Sequence, residues 1–218
     1  MPASHFSSRD PAFSPQQVGQ CARIIDGLRK INAKIVRRSG PLDSLIAAAD
    51  RVEALLASLD EVTQARAPQS FRFAFDRAHP NDVLPFNPAT GAFNPIASKL
   101  EMALEGETLV THREFSNCYE GGPDTVQGGM IAALYDQLLA YAVMAAGRTG
   151  PTLWLKVSYR KPTPINRPLR FECAVESIDG RKFLVTGSCQ CGGEKLSEAQ
   201  ALMLAAYPIE VTGGAGRA

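Results

Sequence analysis

The sequence predicts an α+β domain in which an antiparallel sheet wraps one long central helix, preceded by an α-helical hairpin. Three observations carry this. The apolar run that follows Gly128-Gly129 continues to Ala146 and is stopped by Gly147-Arg148-Thr149-Gly150-Pro151, the length and punctuation of a helix. Segments of alternating polarity lie on both sides of that run and are separated by turn dipeptides, which is the pattern of repeated hairpins. The N-terminal part instead carries apolar side chains at spacings of three and four, as amphipathic helices do.

Composition narrows the class. A chain of 218 residues holds one main domain with an appendage. Its 45% hydrophobic and 21% charged content is that of a soluble globular protein. A net charge of +1, with no charged block, argues against nucleic-acid binding by bulk electrostatics. The apolar run is slightly short for a bilayer and contains Asp136 and Gln137, so a buried helix rather than a membrane span is expected. The start, MPASHFSSRDPAF, has no apolar signal core, and five scattered cysteines suit a reducing cytoplasm. Cys189 and Cys191 have no further ligands at metal-binding spacing and read as small buried apolar groups.

The elements follow in order. Residues 1–66 comprise a loose arm and the helical hairpin. Ser14-Pro15 supplies an N-cap and a first-turn proline, with Val18, Cys21, Ile24, Ile25, Leu28, Ile31 and Ile35 at helical spacing behind it. Arg37-Arg38-Ser39-Gly40 ends this helix. Pro41 restarts a second, with Leu42, Leu45, Ile46, Ala49, Val52, Leu55, Leu56 and Leu59 on one face. Such a hairpin is too small to hold a core alone and should pack on the main domain or on another chain. The basic cluster Arg29, Lys30, Lys34, Arg37 and Arg38 reads as a solvated helix face.

Residues 67–98 form a connecting segment broken by Pro68, Pro80, Pro85, Pro88 and Pro95. Phe71, Phe73, Phe75, Phe86 and Phe93 suggest that it lies over the core. Residues 99–210 form the main domain, and 211–218 a flexible tail. Leu100–Leu104 and Thr108–Phe115 flank a turn at Glu105-Gly106-Glu107. After the helix, Leu153, Leu155, Val157 and Tyr159 alternate with Trp154, Lys156, Ser158 and Arg160. Asp179-Gly180 and Gly192-Gly193 mark further hairpins, and the last strand runs from about Leu196 to Tyr207.

Asp136 is the only charge between Met130 and Ala146. A carboxylate on a helix that is apolar all round is expected to be buried, and so to be neutralised, paired or at work. Gly128 and Asp136 are eight residues apart along one helix, about 12 Å at 1.5 Å per residue. A general base and an oxyanion donor acting on one carbonyl must both lie within a few ångströms of it. One chain therefore cannot supply both to the same substrate, and a two-fold dimer with shared sites follows if both are used.

The segment Tyr119-Glu120-Gly121-Gly122-Pro123-Asp124-Thr125-Val126-Gln127-Gly128-Gly129, with Asp136 beyond it, resembles the motif of hotdog-fold acyl-CoA thioesterases of the phenylacetyl-CoA thioesterase (PaaI-like) group. Val157-Ser158-Tyr159-Arg160-Lys161-Pro162-Thr163-Pro164 is similar to that group's strand ending in Tyr/Phe-x-x-Pro, and Phe93-Asn94-Pro95 resembles an entry segment of bacterial members. The likeness covers roughly residues 85–207. It implies a hotdog fold, hydrolysis of an acyl-CoA to free acid and coenzyme A, and a homodimer or dimer of dimers. It also implies that no cofactor is needed beyond the coenzyme A of the substrate.

The resemblance assigns roles. Asp136 is general base or nucleophile, the Gly128 N–H is oxyanion donor, and Thr152 orients the water. Gly129, Tyr159, Arg160, Lys161, Arg181 and Lys182 lie where relatives contact the substrate or coenzyme A. Gln127 stands where the group usually has His; it keeps a donor and an acceptor but cannot titrate. That departure leaves a second reading, a hotdog protein that binds an acyl-CoA or lipid-like ligand without turnover. A hydratase ranks lower, because its usual Asp/His pair has no placed His.

Overall fold

The computed structural model describes residues 14–36, 39–62, 74–97 and 99–213. The N-terminal arm, Arg37, Arg38, Phe71, Phe73 and the last residues of the expected tail lie outside that range. Helix α1 (Pro15–Ile35) begins with a capping box: Gln17 N–H donates to Ser14 Oγ at 3.2 Å, and Ser14 N–H donates to Gln17 Oε1 at 2.8 Å. Helix α2 (Leu42–Val62) follows.

Strand β1 (Ala74–Asp76) precedes β2 (Leu100–Glu105) and β3 (Thr108–Arg113). Helix α3 (Gly128–Ala145) and the two-residue β4 (Arg148–Thr149) come next. The long strands are β5 (Thr152–Tyr159), β6 (Leu169–Asp179), β7 (Lys182–Cys191) and β8 (Glu194–Leu204). Two short strands, β9 (Tyr207–Pro208) and β10 (Glu210–Thr212), close the described chain. The expected last strand therefore stops at Leu204, and Tyr207 pairs with β4 instead. β10 pairs in parallel with β1, so Val211 and Thr212 are strand rather than tail.

The main sheet has the order β2-β3-β6-β7-β8-β5, antiparallel throughout, with β2 and β5 at its edges. Its inner face packs Leu109, Phe171, Cys173, Val185, Cys189, Ala201 and Met203 against Ile131, Leu134, Tyr135, Leu138 and Leu139 of α3. Each large apolar side chain so buried contributes about 1.5–3 kcal/mol. A Cβ at Gly187 would meet Cys173 Sγ at 2.9 Å and the Tyr135 ring at 3.2 Å, so the missing side chain sets how closely α3 approaches. By length and composition α3 could cross a bilayer, yet it is largely buried by the sheet.

Residues 80–97 form a strap over α3, held by polar contacts rather than by its phenylalanines: Phe86 is 41% exposed. Asn87 Nδ2 donates to Gln137 Oε1 at 2.7 Å, and Thr90 Oγ1 lies 2.9 Å from Tyr141 Oη. Tyr119 Oη donates to Ile96 O at 2.7 Å, and Arg113 Nη1 donates to Ala89 O at 2.9 Å. Helix α1 is tied to the same strap by one residue. Arg29 donates to the carbonyls of Gly91, Ala92, Asn94 and Ala97 at 2.7–3.0 Å. Both N-terminal helices are present, but among the described residues they make no packed interface with each other, and almost all of α2 is exposed. The expected hairpin is open.

Candidate functional site

The loop before α3 is built tightly. Gly121 N–H donates to Thr125 O at 2.9 Å, Val126 N–H to Thr163 O at 2.8 Å and Gln127 N–H to Tyr119 O at 2.9 Å. A Cβ on Gly121 would lie 2.8 Å from the Gln127 Cα, which explains the glycine there. Gln127 is the N-cap of α3: its Oε1 accepts from Met130 N–H at 2.9 Å. The residue that departs from the motif therefore caps the helix, a task that needs an acceptor and no titration. The N–H groups of Gly128 and Gly129 have no acceptor among the described residues. They point from the positive end of the helix dipole and are open to an oxyanion.

Tyr159, at the far end of β5, braces this helix start. Its hydroxyl donates to Gly128 O at 2.7 Å, and its ring would sit 3.4 Å from a Cβ at that position. Partial burial pushes the phenol above its ordinary value, so it stays a donor. The side chains of the next two residues are engaged: Arg160 pairs with Glu198 and Lys161 with Glu194. The Arg160 hydrogen bond holds the Glu198 carboxyl below the ordinary carboxylate value.

Asp136 lies two turns further along α3. It is exposed in the chain, not buried as its apolar surroundings suggested. The physical reason is the sheet edge: β5 is the last strand, and no described residue lies beyond it to cover this face. Thr152 Oγ1 donates to Asp136 Oδ1 at 2.9 Å. A bulge makes this bond possible. Thr152 pairs with Met203 and Trp154 with Leu202, which leaves Leu153 as an extra residue. Leu155, Val157 and Tyr159 pair with the inward-facing Ala201, Ala199 and Ser197, so strict alternation would turn Thr152 outward. The bulge brings it back to the inner face, and Leu153, expected inward, is 50% exposed instead.

The candidate residues thus fall into two groups. Gln127, Gly128, Gly129, Tyr159, Arg160 and Lys161 cluster at one end of β5. Asp136 and Thr152 lie at the other: Thr152 is about 23 Å from Tyr159 along the strand, and Asp136 about 12 Å from Gly128 along the helix. Arg181 and Lys182, in the exposed β6–β7 turn, belong to the Thr152 end: Ala205 N–H donates to Arg181 O, and Leu204 N–H to Pro151 O. Arg160 and Arg181 are therefore not brought together within one chain. Sequence reasoning missed Asn87, which joins the strap to Gln137 beside Asp136. Its signal was the Asn-Pro pair, since the Asn87 side chain also accepts from Ala89 N–H and Thr90 N–H.

No family model matches the chain. Among solved structures, it is similar to a thioesterase superfamily protein with 24% identity, spanning 84% of this chain and 90% of that one at a TM-score of 0.75. The chain has the hotdog fold. Two looser likenesses are a phenylacetic acid degradation-related protein from Ralstonia eutropha JMP134 and a hypothetical thioesterase protein from Streptococcus pneumoniae TIGR4 solved with coenzyme A. The first is 23% identical over 48% of this chain and 83% of that one, with a TM-score of 0.45. The second is 17% identical over 52% and 93%, with a TM-score of 0.49. Within the hotdog frame, α3 is the central helix and β5 the free edge, so the two residue groups flank one open strand.

Proposed function

We propose that this hotdog protein is an acyl-CoA thioesterase whose sites are each shared between two subunits. The observation that carries the reading is the Thr152–Asp136 hydrogen bond at one end of β5, with two unclaimed glycine N–H groups at the other. The thioesterase superfamily name of the protein that shares most of the fold fits this chemistry. The β5 edge supports the pairing of subunits: it is unpaired on its outer side and carries Leu153, Trp154 at 41% and Tyr159 at 50% exposure. Two β5 strands joined antiparallel about a two-fold axis would set the Thr152 end of one against the Tyr159 end of the other.

In that arrangement Thr152 holds one carboxylate oxygen of Asp136, and the other oxygen accepts a proton from water. The water oxygen bonds to the thioester carbon. The carbonyl oxygen, now negative, is met by the Gly128 N–H of the second subunit. Collapse breaks the C–S bond, and the proton held by Asp136 passes to the departing sulfur. The products are a carboxylic acid and coenzyme A. Gln127, Gly129 and Tyr159 keep the helix start in place. Arg181 and Lys182 are cations available to the nucleotide phosphates, and Arg160 and Lys161 join them by exchanging Glu198 and Glu194 for phosphate. The absence of a titrating group at Gln127 favours one other reading, a binder without turnover.

Thiol release over an acyl-CoA panel separates the two, and a mixing experiment tests the shared site. Gly128→Pro removes the N–H at the first helical position, where proline fits, and Gln127 already has the extended backbone that precedes proline. Asp136→Asn removes the base. Each variant alone should be inactive. A refolded equal mixture should regain about a quarter of wild-type activity, since half the dimers carry one intact site of two. No recovery would rule out sharing, and no wild-type turnover on any acyl-CoA would leave only the binder.

A further inference from the structure

Helices α1 and α2 each carry an apolar seam that is exposed along most of its length among the described residues. On α1, Cys21, Ile24, Leu28, Ile31 and Ile35 recur at alternating spacings of three and four. On α2, Leu42, Leu45, Ala49, Val52, Leu56 and Leu59 do the same. This is the a/d repeat of helices that pack along their length. All of these side chains are exposed except Leu28 and Leu59, which are half-buried; Leu42 reaches 71% and Leu56 57%. The face of α1 that carries Val18 and Arg29, about 110° around the helix from the seam, is turned to the domain, with Val18 buried and Arg29 clamped to the strap. The α1 seam is therefore held outward on a fixed element.

Charge says what fits these seams. Helix α1 exposes Arg23 and Lys30, whereas α2 exposes Asp43, Asp50 and Glu53 against Arg51. Two α2 helices laid together would set acid against acid, whereas α2 on α1 sets acid against base. Among the described residues α1 and α2 have no packed interface. We propose that α2 docks on the α1 seam of a second copy of this chain, and reciprocally, forming a four-helix interface separate from the β5 edge. The exchange is self-complementary, as a two-fold contact requires. It does not depend on the thioesterase reading.

The test uses the native Cys21, which is exposed on the α1 seam. Full-length chain carrying Leu56→Cys is treated with a short bis-maleimide and run under denaturing conditions. A two-chain product joined through Cys21 is expected, confirmed by peptide mass. It should be lost in Leu56→Cys/Cys21→Ser, in Ala54→Cys on the opposite face of α2, and when Leu45→Asp and Val52→Asp are added to Leu56→Cys. Circular dichroism of that last variant should match wild type, because these side chains are exposed in the chain. Cys21 linked to residue 56 only within one chain would overturn the proposal in favour of a closed hairpin. No linkage to Cys21 at all would overturn it in favour of some other partner, such as a lipid surface.

Discussion

Gln127 shows how a single side chain can be read in two ways. Seen in the motif, it is a lost titrating group; seen at the helix start, it is a cap whose oxygen takes the Met130 N–H. Gln127→Ala should cost about 1 kcal/mol in a urea titration, the usual value of a lost cap. Asp136 behaves oppositely. It is exposed and bonds to the side chain of Thr152. Asp136→Asn should leave the unfolding midpoint within about 0.5 kcal/mol of wild type yet lower kcat on the order of 10²–10⁴-fold. A stability loss larger than the activity loss would mean that the carboxylate is structural. The cysteines divide by burial in the same residue-level way. Burial pushes the Cys173 thiol well up and the Cys189 thiol up to about 12, while Cys21 is exposed. Ellman's reagent should reach Cys173 and Cys189 only on unfolding.

Among the elements, β5 and the strap decide what the site residues can do. Deleting Leu153 removes the extra residue while leaving Thr152 opposite Met203 and Trp154 opposite Leu202, so Thr152 should still face Asp136. The chain should still fold and keep its turnover; a loss on the order of 10²-fold from misplacement would show that the bulge itself sets the position of Thr152. Arg29→Ala removes a charged donor from four carbonyls and should weaken the docking of α1 by about 1.5–3 kcal/mol. Limited proteolysis would show this as cleavage in α1 ahead of the sheet. Much of this level was legible in the sequence. The Gly128–Ala145 helix and the hairpin turns at Gly180 and Gly192-Gly193 rest on local spacing. Three things were not legible. The bulge is set by cross-strand pairing with Met203 and Leu202, which local alternation does not encode. The exposure of Asp136 depends on which strand ends the sheet. The open relation of α1 and α2 depends on what covers their seams, and equal helical patterns serve a closed hairpin as well as an exchanged one.

For the whole molecule, the buried acids of the core set a pH limit. An ordinary thiol titrates at 9.0, whereas Cys189 is held up to about 12 by burial, and burial raises the Cys173, Tyr135 and Tyr141 groups as well. The unfolded chain gives up these protons earlier than the folded one. The stability they contribute is whole below about pH 9 and is lost as the pH rises through that window. The urea midpoint should therefore fall steadily from pH 9 to 11, and a flat profile would contradict the burial of these groups. The sheet order carries a different consequence, in the time of synthesis. Strand β5 has one neighbour in the chain, β8, whose first residue, Glu194, comes 35 residues after Tyr159. At 5–20 residues per second the gap lasts roughly 2–7 s. Throughout it, Leu153, Trp154 and Leu155 have emerged with both edges of their strand unpaired, on ribosomes that carry identical copies of the same strand. Lys156 within the strand, and Arg160, Lys161 and Pro162 directly after it, are the kind of residue that keeps such a segment from pairing too early.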